Sequence, residues 1–436
     1  TVTHYIFFFF FFLLLWNYTS IRSIQRTYTL FARKTTIWIM ELHQVDCFKI
    51  NMRFWKYLAI WPDNNSGRMY KYFSIVFVGF FVIFYNVLFT INFYFLPRKL
   101  DVFVEELIFY FTELAMVSKV LTFIFMRNKI VEILRILESD MFQPDDAEGL
   151  AIVAKAKKFN KTYYTIFVSI SGTSNFVHVV IPFLAHFIFK GELLLPVCTY
   201  SFLSDELRHK LIYFLYIYQA VGMHFTMLYD VNMDTFLLGL MVLIIAQLDV
   251  LDRKLRKVTD YNNDIEIKSK TSRKSADKSR ICLSNLNRCI IHFNEVSKFC
   301  SLVEEVFSPS LFCHFGMASC IICVCLFRFT LPAAVWYYTF LATYMSAMVL
   351  QIMVPCWLGT RLMDKSKLLA FSTYNCDWTP RSRQFKSNLR LFVERANKPL
   401  SITGGKMFCL SLTTFTSIMN SAYSFFTLLQ NMKSRE

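Results

Sequence analysis

Few residues of this chain combine the types and spacings that carry chemistry. No glycine-rich phosphate loop, HExxH pair or GxSxG turn occurs in its 436 residues, and the eight histidines are scattered. Cys320, Cys323 and Cys325 are spaced like metal ligands, but they lie in an apolar segment where thiols act as small hydrophobic groups. The sequence therefore predicts no catalytic residue, no metal site and no cofactor.

Four ionisable residues inside apolar segments are stronger candidates for a function. A charge at the centre of a membrane costs about 2.5 to 3.5 kcal/mol on insertion scales, so each needs a partner or a role. Glu113 and Lys119 share one segment, and either could be paired within the bundle. For Lys119 we favour the alternative that its ammonium group extends to the membrane surface. Asp230 and Asp234 are four residues apart, hence on one helix face, where they either bond to a neighbouring helix or face water.

A polar stripe runs along the last apolar segment, Met407 to Leu429, which contains no charged residue and no proline. At 100° per residue its polar side chains fall within about 60° of one line. They are Thr413, Thr416, Ser417, Asn420, Ser424 and Thr427, with Asn431 continuing the line. Such a stripe is typical either of a helix that hydrogen-bonds to its neighbours or of one that faces water.

Seven apolar segments must position these residues. With 55% hydrophobic residues and 48 phenylalanines, the chain is too apolar for an ordinary soluble protein. The segments are Tyr72 to Phe95, Val104 to Met126, Tyr163 to Phe189, Leu211 to Ala246, Pro309 to Phe327, Ala333 to Leu358 and Met407 to Leu429. We predict an all-α bundle of seven transmembrane helices, six of them within 72–358, with the long fourth helix projecting beyond the membrane.

Lysine and arginine are unevenly distributed between the connections of these segments. Alternate connections carry 33 in one set and eight in the other, and cytoplasmic loops carry the excess. The bias predicts cytoplasmic segments at 40–71 and 359–406, and an extracellular carboxyl terminus after helix seven within 407–436. The same bias explains the net charge of +16. The sequence does not indicate nucleic-acid binding, because no nucleic-acid-binding motif accompanies the basic residues.

Three parts of the chain stand outside this scheme. Residues 1–39 precede Met40 and contain an apolar run too short to span a membrane, so we interpret them as a non-native or upstream-translated extension. Residues 259–280 are polar and basic, and we expect a flexible cytoplasmic loop. Cys198 lies in a predicted extracellular connection, and the sequence leaves its pairing open.

A row of short motifs leads into the last segment. They are YNCDW at Tyr374 to Trp378, KPLSITGGK at Lys398 to Lys406, SLTTF at Ser411 to Phe415 and AYSFFTLL at Ala422 to Leu429. In order and spacing they resemble the carboxyl-terminal signature of insect odorant receptors, and a weaker resemblance in pattern extends back to about Met40.

The resemblance implies an odorant-gated, non-selective cation channel subunit in the plasma membrane of a sensory neuron. In that family a variable subunit assembles with a shared co-receptor into a tetramer, binds a small volatile ligand and is not an enzyme. The seventh helices meet at the pore, which places Ser424, Thr427, Leu428, Asn431 and Met432 on its wall and a hydrophobic gate at Leu428 and Met432. An intersubunit anchor is implied at Tyr374, Cys376, Trp378, Lys398, Pro399, Gly404 and Gly405.

An odorant pocket requires an apolar, aromatic-lined cavity with few polar groups. The resemblance implies its location in the outer half of the bundle, and the expected topology supplies the candidate residues. They are Phe109, Tyr110, Phe176, His178, Phe183, Phe214, Ile217, Tyr337, Tyr338 and Tyr344. We expect His178 and Tyr338 to make the polar contacts to the ligand.

Other classes of membrane protein remain as alternatives. A gustatory receptor shares the architecture, but its Thr-Tyr-x5-Gln-Phe ending is only half matched at Tyr423 and Gln430. A G-protein-coupled chemoreceptor requires the opposite charge bias. A transporter of inverted repeats is not supported, because the sequence has no internal repeat.

Overall fold

The computed structural model describes residues 44–61, 68–96, 100–144, 146–259 and 273–433. Residues 1–39, the interior of the polar loop 259–280 and the side chains of Tyr374 and Met432 lie outside that description. Short 3₁₀ turns occupy Gln44–Phe48, Asp140–Phe142 and Thr373–Asn375. The helices are α1 Lys49–Tyr57, α2 Arg68–Val78, α3 Tyr85–Tyr94, α4 Leu100–Phe125, α5 Arg127–Leu137, α6 Ala147–Phe189, α7 Asp205–Arg256, α8 Arg273–Arg328, α9 Val335–Ser372, α10 Arg383–Ala396 and α11 Leu412–Lys433.

Six spans are long and apolar enough to cross a membrane, and α11 supplies a seventh apolar helix. The first consists of α2 and α3, joined by a π-helical segment at Gly79–Phe84. At 1.5 Å per residue the 22 residues of α11 extend about 33 Å, which matches a bilayer core. The predicted all-α bundle of seven helices is confirmed, while the sidedness of its ends stays a prediction.

The middle helices are much longer than their apolar segments. α6 has 43 residues, α7 has 52 and α8 has 56. In α8 the extension before Pro309 buries residues at alternating intervals of three and four, the pattern of a helix that packs along one stripe. These are Cys282, Leu286, Cys289, Phe293, Val296, Cys300, Val303 and Phe307. We name the region built by these extensions, α10 and residues 373–411 the anchor end, and the opposite region the loop end.

α7 is the central helix of the bundle and the most buried of the six candidate spans. α6 and α9 pack along it, α4 packs mainly against α8, and α11 packs against α8 and α9. Because α7 has neighbours on all sides, polar residues at its middle must find partners inside the protein.

A short hairpin fixes the start of α11. Its strands, β1 Thr403–Gly404 and β2 Phe408–Cys409, pair antiparallel, so α11 begins at Leu412 rather than at the predicted Met407. Gly405 has φ +59°, a left-handed conformation that glycine adopts without steric cost, and its N–H donates to the Ser308 carbonyl over 2.8 Å.

Candidate functional site

A buried ion cluster joins three helices at the middle of the bundle. The Nζ of Lys119 on α4 lies 2.6 Å from Asp230 Oδ1 and 2.7 Å from Asp234 Oδ1, both on α7. Gln351 of α9 donates its amide N–H to Asp234 Oδ2 over 3.0 Å, and also to Asp230. We name Lys119, Asp230, Asp234 and Gln351 the ion cluster.

The ion cluster decides between two interpretations of the sequence. The expectation that Lys119 extends to the membrane surface is wrong, because two carboxylates neutralise its ammonium group inside the protein, where Lys119 is only 5% exposed. Of the alternatives for Asp230 and Asp234, the structure shows the bond to neighbouring helices. Their spacing of one helical turn lets a single lysine contact both.

Glu113 of α4 is a buried carboxylic acid outside the ion cluster and is 4% exposed. It accepts a hydrogen bond from Asn86 Nδ2 over 3.2 Å. Within the described part of the chain it has no ion-pair partner. Its charge is thus less compensated than the charges of the ion cluster.

A cavity of about 80 Å³ lies between α4, α6, α7 and α9, next to the ion cluster. Each helix contributes residues at intervals of three and four, so each presents one face to the same space. The lining residues are Phe109, Thr112 and Glu113; Ser171, Ser174 and Asn175; Met223, Thr226, Met227, Asp230 and Val231; and Tyr344, Ala347, Met348 and Gln351. Apolar and polar side chains alternate around this wall, so it can contact both a hydrocarbon and a polar head group.

Two of the ten predicted pocket residues, Phe109 and Tyr344, line this cavity. The Tyr344 hydroxyl bonds to the hydroxyl of Thr112 across the space between α9 and α4. The sequence argument missed the other lining residues because it selected aromatic side chains. Their signal is the repeated interval of three and four, seen for example at Ser171, Ser174 and Asn175.

Each of the two expected ligand contacts bonds to the backbone through one polar atom. His178 Nε2 lies 2.6 Å from the Pro196 carbonyl oxygen, and the ring packs against Phe109 and Phe340 on the side of the loop end. Tyr338 donates its hydroxyl to the Leu331 carbonyl over 2.8 Å. Both residues support the surroundings of the cavity, and their contact with ligand stays a prediction.

The remaining six predicted residues are spread over the same half of the bundle. Phe183 and Tyr337 are buried, Tyr110, Phe176 and Ile217 are half-buried, and Phe214 is 66% exposed. None of these six is among the residues that line the cavity. Their contact with a ligand stays a prediction.

A second, much smaller cavity of about 20 Å³ lies on the other side of the ion cluster. It is lined by Lys119, Asp234 and His314 among apolar side chains, and neither ring nitrogen of His314 has a hydrogen-bond partner in the described protein. The space is sufficient for about one water molecule. The ion cluster therefore forms the wall between the two cavities.

The connection between α6 and α7 closes the loop end above the cavity. Gln219 of α7 accepts from the Val197 and Cys198 N–H groups over 3.0 and 3.3 Å and donates to the Cys198 carbonyl over 2.7 Å. Glu106 of α4 accepts from Thr199 N–H over 2.9 Å. These bonds fix the connection to two helices of the bundle.

All twelve cysteines are free thiols, including Cys198, whose pairing the sequence left open. Cys198 is 4% exposed and lies next to Gln219. Burial raises the pKa of the Cys198 thiol well above its ordinary value. A thiol in this environment is poorly reactive.

The polar stripe of α11 lies on an exposed face. Ser424 and Asn431 are exposed, Leu428 is 54% exposed and Thr427 is half-buried. Ser424 and Thr427 donate to carbonyls of their own helix, at Asn420 and Ser424. Ser424 and Thr427 thus use their hydroxyl protons within α11.

The predicted anchor residues belong to the segment 373–411 of the anchor end. Cys376 is buried, Trp378 and Pro399 are half-buried, and Lys398 is exposed. The segment is tied to the end of α7, because Asp377 N–H donates to Thr259 Oγ1 over 3.2 Å. It is tied to α9 through Leu400 N–H, which donates to Ser366 Oγ over 3.0 Å.

Comparison with known proteins shows which family has a matching sequence. The sequence profile described as 7tm Odorant receptor matches residues 99–423. Odorant receptor 59a of Drosophila melanogaster is 27% identical over 231 residues, which are 50% of this chain and 55% of that protein, so the chain matches about half of that relative's length. Odorant receptor 94a of the same species is 22% identical over 329 residues, 74% of this chain and 79% of that protein.

The fold is similar to a solved structure. The insect olfactory receptor OR5 from Machilis hrabei, determined in complex with eugenol, matches with a TM-score of 0.76 at 15% identity. The match covers 89% of this chain and 99% of that chain. At this identity the likeness shows a shared fold.

Proposed function

The chain belongs to the insect odorant receptor family, and from that premise we propose that it is the ligand-binding subunit of an odorant-gated cation channel. It is a multi-pass membrane protein of a receptor family rather than an enzyme family. The observation that carries the proposal is that one helix, α9, both lines the cavity and contacts the start of α11. Tyr344 and Gln351 of α9 line the cavity, and Thr360 Oγ1 accepts from Leu412 N–H over 2.9 Å.

The ligand is a small volatile molecule. A cavity of about 80 Å³ is well below the range of about 300 to 1,000 Å³ for drug-sized ligands, so it favours a compact one. Phe109, Met223, Met227 and Met348 supply dispersion contacts to its hydrocarbon part. The protein of similar fold from Machilis hrabei was solved in complex with eugenol, a small volatile molecule.

The pore is formed by α11 together with other subunits. Ser424, Thr427, Leu428 and Asn431 recur at intervals of three and four on the exposed face of α11, a face that lipid solvates poorly. Assembly with a shared odorant co-receptor, as a heterotetramer around one axis, covers this face and lines a water-filled path with it. Leu428 then provides a hydrophobic constriction that closes by dewetting.

Gating follows from differential binding. A ligand shifts the equilibrium toward the open channel only by the ratio of its affinities for the open and the closed form. A change from mostly closed to mostly open requires an affinity ratio of about 10⁴. Ligand contact with Tyr344, Met348 and Gln351 changes the position of α9, and the Thr360 contact transfers that change to the start of α11.

The anchor end faces the cytoplasm and the carboxyl terminus lies outside, in the plasma membrane of a sensory neuron. The excess of lysine and arginine in the connections of the anchor end supports this orientation. There, Cys376, Trp378, Lys398, Pro399 and the glycine pair contribute to contacts between subunits.

The test is whole-cell current from cells that express the full chain with and without an insect odorant co-receptor, during application of volatiles. An odorant-evoked cation current that requires the co-receptor is the expected result. A second-messenger response without current, or an extracellular amino terminus, would overturn the proposal in favour of a G-protein-coupled receptor.

A further inference from the structure

We propose that the cavity selects volatiles whose head group donates hydrogen bonds, a hydroxyl or an ammonium group, over volatiles whose head group only accepts them. This inference rests on the proposed function, because it assigns the cavity between α4, α6, α7 and α9 as the odorant site. It is carried by the hydrogen-bonding state of the polar atoms in the wall.

Three buried polar atoms of the cavity wall have no hydrogen-bond partner in the described protein. They are Gln351 Oε1, Asn175 Oδ1 and Ser174 Oγ. The Gln351 amide orientation is fixed, because its Nε2 donates to both carboxylates of the ion cluster. Its free atom is therefore the carbonyl oxygen, a pure acceptor.

Several donors of the same wall are already engaged. The Thr112 hydroxyl donates to the Ile108 carbonyl over 2.9 Å, and the Thr226 hydroxyl donates to the Gly222 carbonyl over 3.1 Å. The Asn175 Nδ2 lies 3.2 Å from His224 Nδ1. Among the described residues of the wall, the serine hydroxyls and the second N–H of the Asn175 amide can still offer a proton, whereas Gln351 Oε1 can only accept one.

The charge balance around the cavity favours the same kind of ligand. Glu113 and Asp230 line the wall, and Asp234 lies behind it, whereas Lys119 is the one ammonium group that pairs with these acids in the described protein. Ionised carboxylates accept hydrogen bonds and do not donate them, and bonds to them are stronger than neutral ones. A head group that donates hydrogen bonds, and above all a positively charged ammonium group, compensates this surplus of carboxylates.

An acceptor-only head group is rejected for a physical reason. It would place lone pairs against the lone pairs of Gln351 and Asn175, and both sides would remain unsatisfied. Sites built around buried polar groups discriminate strongly against an analogue that lacks the matching group. We expect at least a tenfold difference in half-maximal concentration.

The experiment uses the full chain with its co-receptor and matched volatiles of equal heavy-atom number: benzyl alcohol, benzylamine and benzaldehyde, then 1-hexanol, hexylamine and hexanal. The alcohol or the amine is expected to act at a concentration at least tenfold lower than the aldehyde. A lower concentration for the amine identifies the ammonium as the preferred head group, and a lower one for the alcohol identifies the neutral hydroxyl. Aldehydes that act at concentrations equal to or lower than those of the alcohols and amines overturn the inference and leave the proposed function intact.

Variants connect the selectivity to this wall. Asn175→Leu removes the free acceptor Asn175 Oδ1 and should reduce the alcohol-to-aldehyde preference several-fold, whereas Glu113→Gln should reduce the amine-to-alcohol preference. Thr173→Ala is the matched control, because Thr173 is exposed beside Ser174 and its hydroxyl donates to the Ser169 carbonyl. If both cavity variants keep wild-type preferences at normal surface expression, the wall does not select the ligand. A chain that responds to no volatile at all would refute the proposed function itself.

Discussion

Lys119 Nζ lies 2.7 Å from Asp234 Oδ1, and this pair joins α4 to α7 between the two cavities. Removal of one partner of a buried ion pair costs about 3–5 kcal/mol, because the remaining charge is uncompensated. We therefore expect Lys119→Met to lower the melting temperature of the detergent-solubilised receptor and its surface expression sharply.

Lys129→Met is the matched control for that prediction. Lys129 pairs with Glu305 over 2.6 Å on a partly exposed surface, where an ion pair contributes about 0–1 kcal/mol. A melting temperature equally lowered by both variants would contradict the assignment of Lys119 as a structural charge. A triple variant that also neutralises Asp230 and Asp234 should recover part of the loss.

Gly405→Ala should destabilise the hairpin before α11. A non-glycine residue in the left-handed region costs about 1–2 kcal/mol, and a Cβ on Gly405 would lie 2.9 Å from the Phe312 ring. The readout is the melting temperature together with odorant-evoked current. Gly316→Ala on α8 has open space and should be neutral or slightly stabilising; an equal effect of both changes would refute the strain argument.

Cys198 should resist maleimide labelling at neutral pH. Burial raises its thiol pKa, so the reactive thiolate is scarce below that raised value and increases only as pH rises toward it. In single-cysteine variants of permeabilised cells, the exposed Cys409 should label quickly and Cys198 only after denaturation. Rapid labelling of Cys198 in the native receptor would show that the connection over the cavity opens.

Leu428→Ser should raise the basal current of the assembled channel. A hydroxyl in place of an apolar side chain at a constriction lets water wet the pore in the closed state. Whole-cell current without odorant measures the effect, and Leu429→Ser is the control, because Leu429 lies about 100° around the helix from Leu428. Identical basal currents in the two variants would contradict the pore-facing position of Leu428.

The sequence predicts apolar helices well and their polar partners poorly. Asp230 and Asp234 were placed correctly on one face, because helical periodicity is local. Their bond to Lys119 could not be predicted, since it requires knowing that α4 and α7 are neighbours. The same difficulty affected the cavity, where the polar lining residues share no signal except their intervals of three and four.

The predicted starts of two helices were wrong where hydrophobicity was the only criterion. The fifth apolar segment begins at Pro309, yet Leu286, Phe293 and Cys300 show that α8 starts well before it and continues through one buried stripe. At Met407 the apolar run begins before the helix does, because Gly405 first turns the chain into a hairpin.

The attachment of α11 has a mechanical consequence. Its start is held by the hairpin and by Thr360, whereas Ala422 is the only buried side chain among residues 412–431. A rod of about 33 Å that is held at one end turns a tilt of about 5° at its base into a displacement of about 3 Å at its tip. That displacement is close to the diameter of a water molecule, so in the proposed channel a small tilt at the start of α11 is sufficient to hydrate or dry a narrow passage at the far end of the helix.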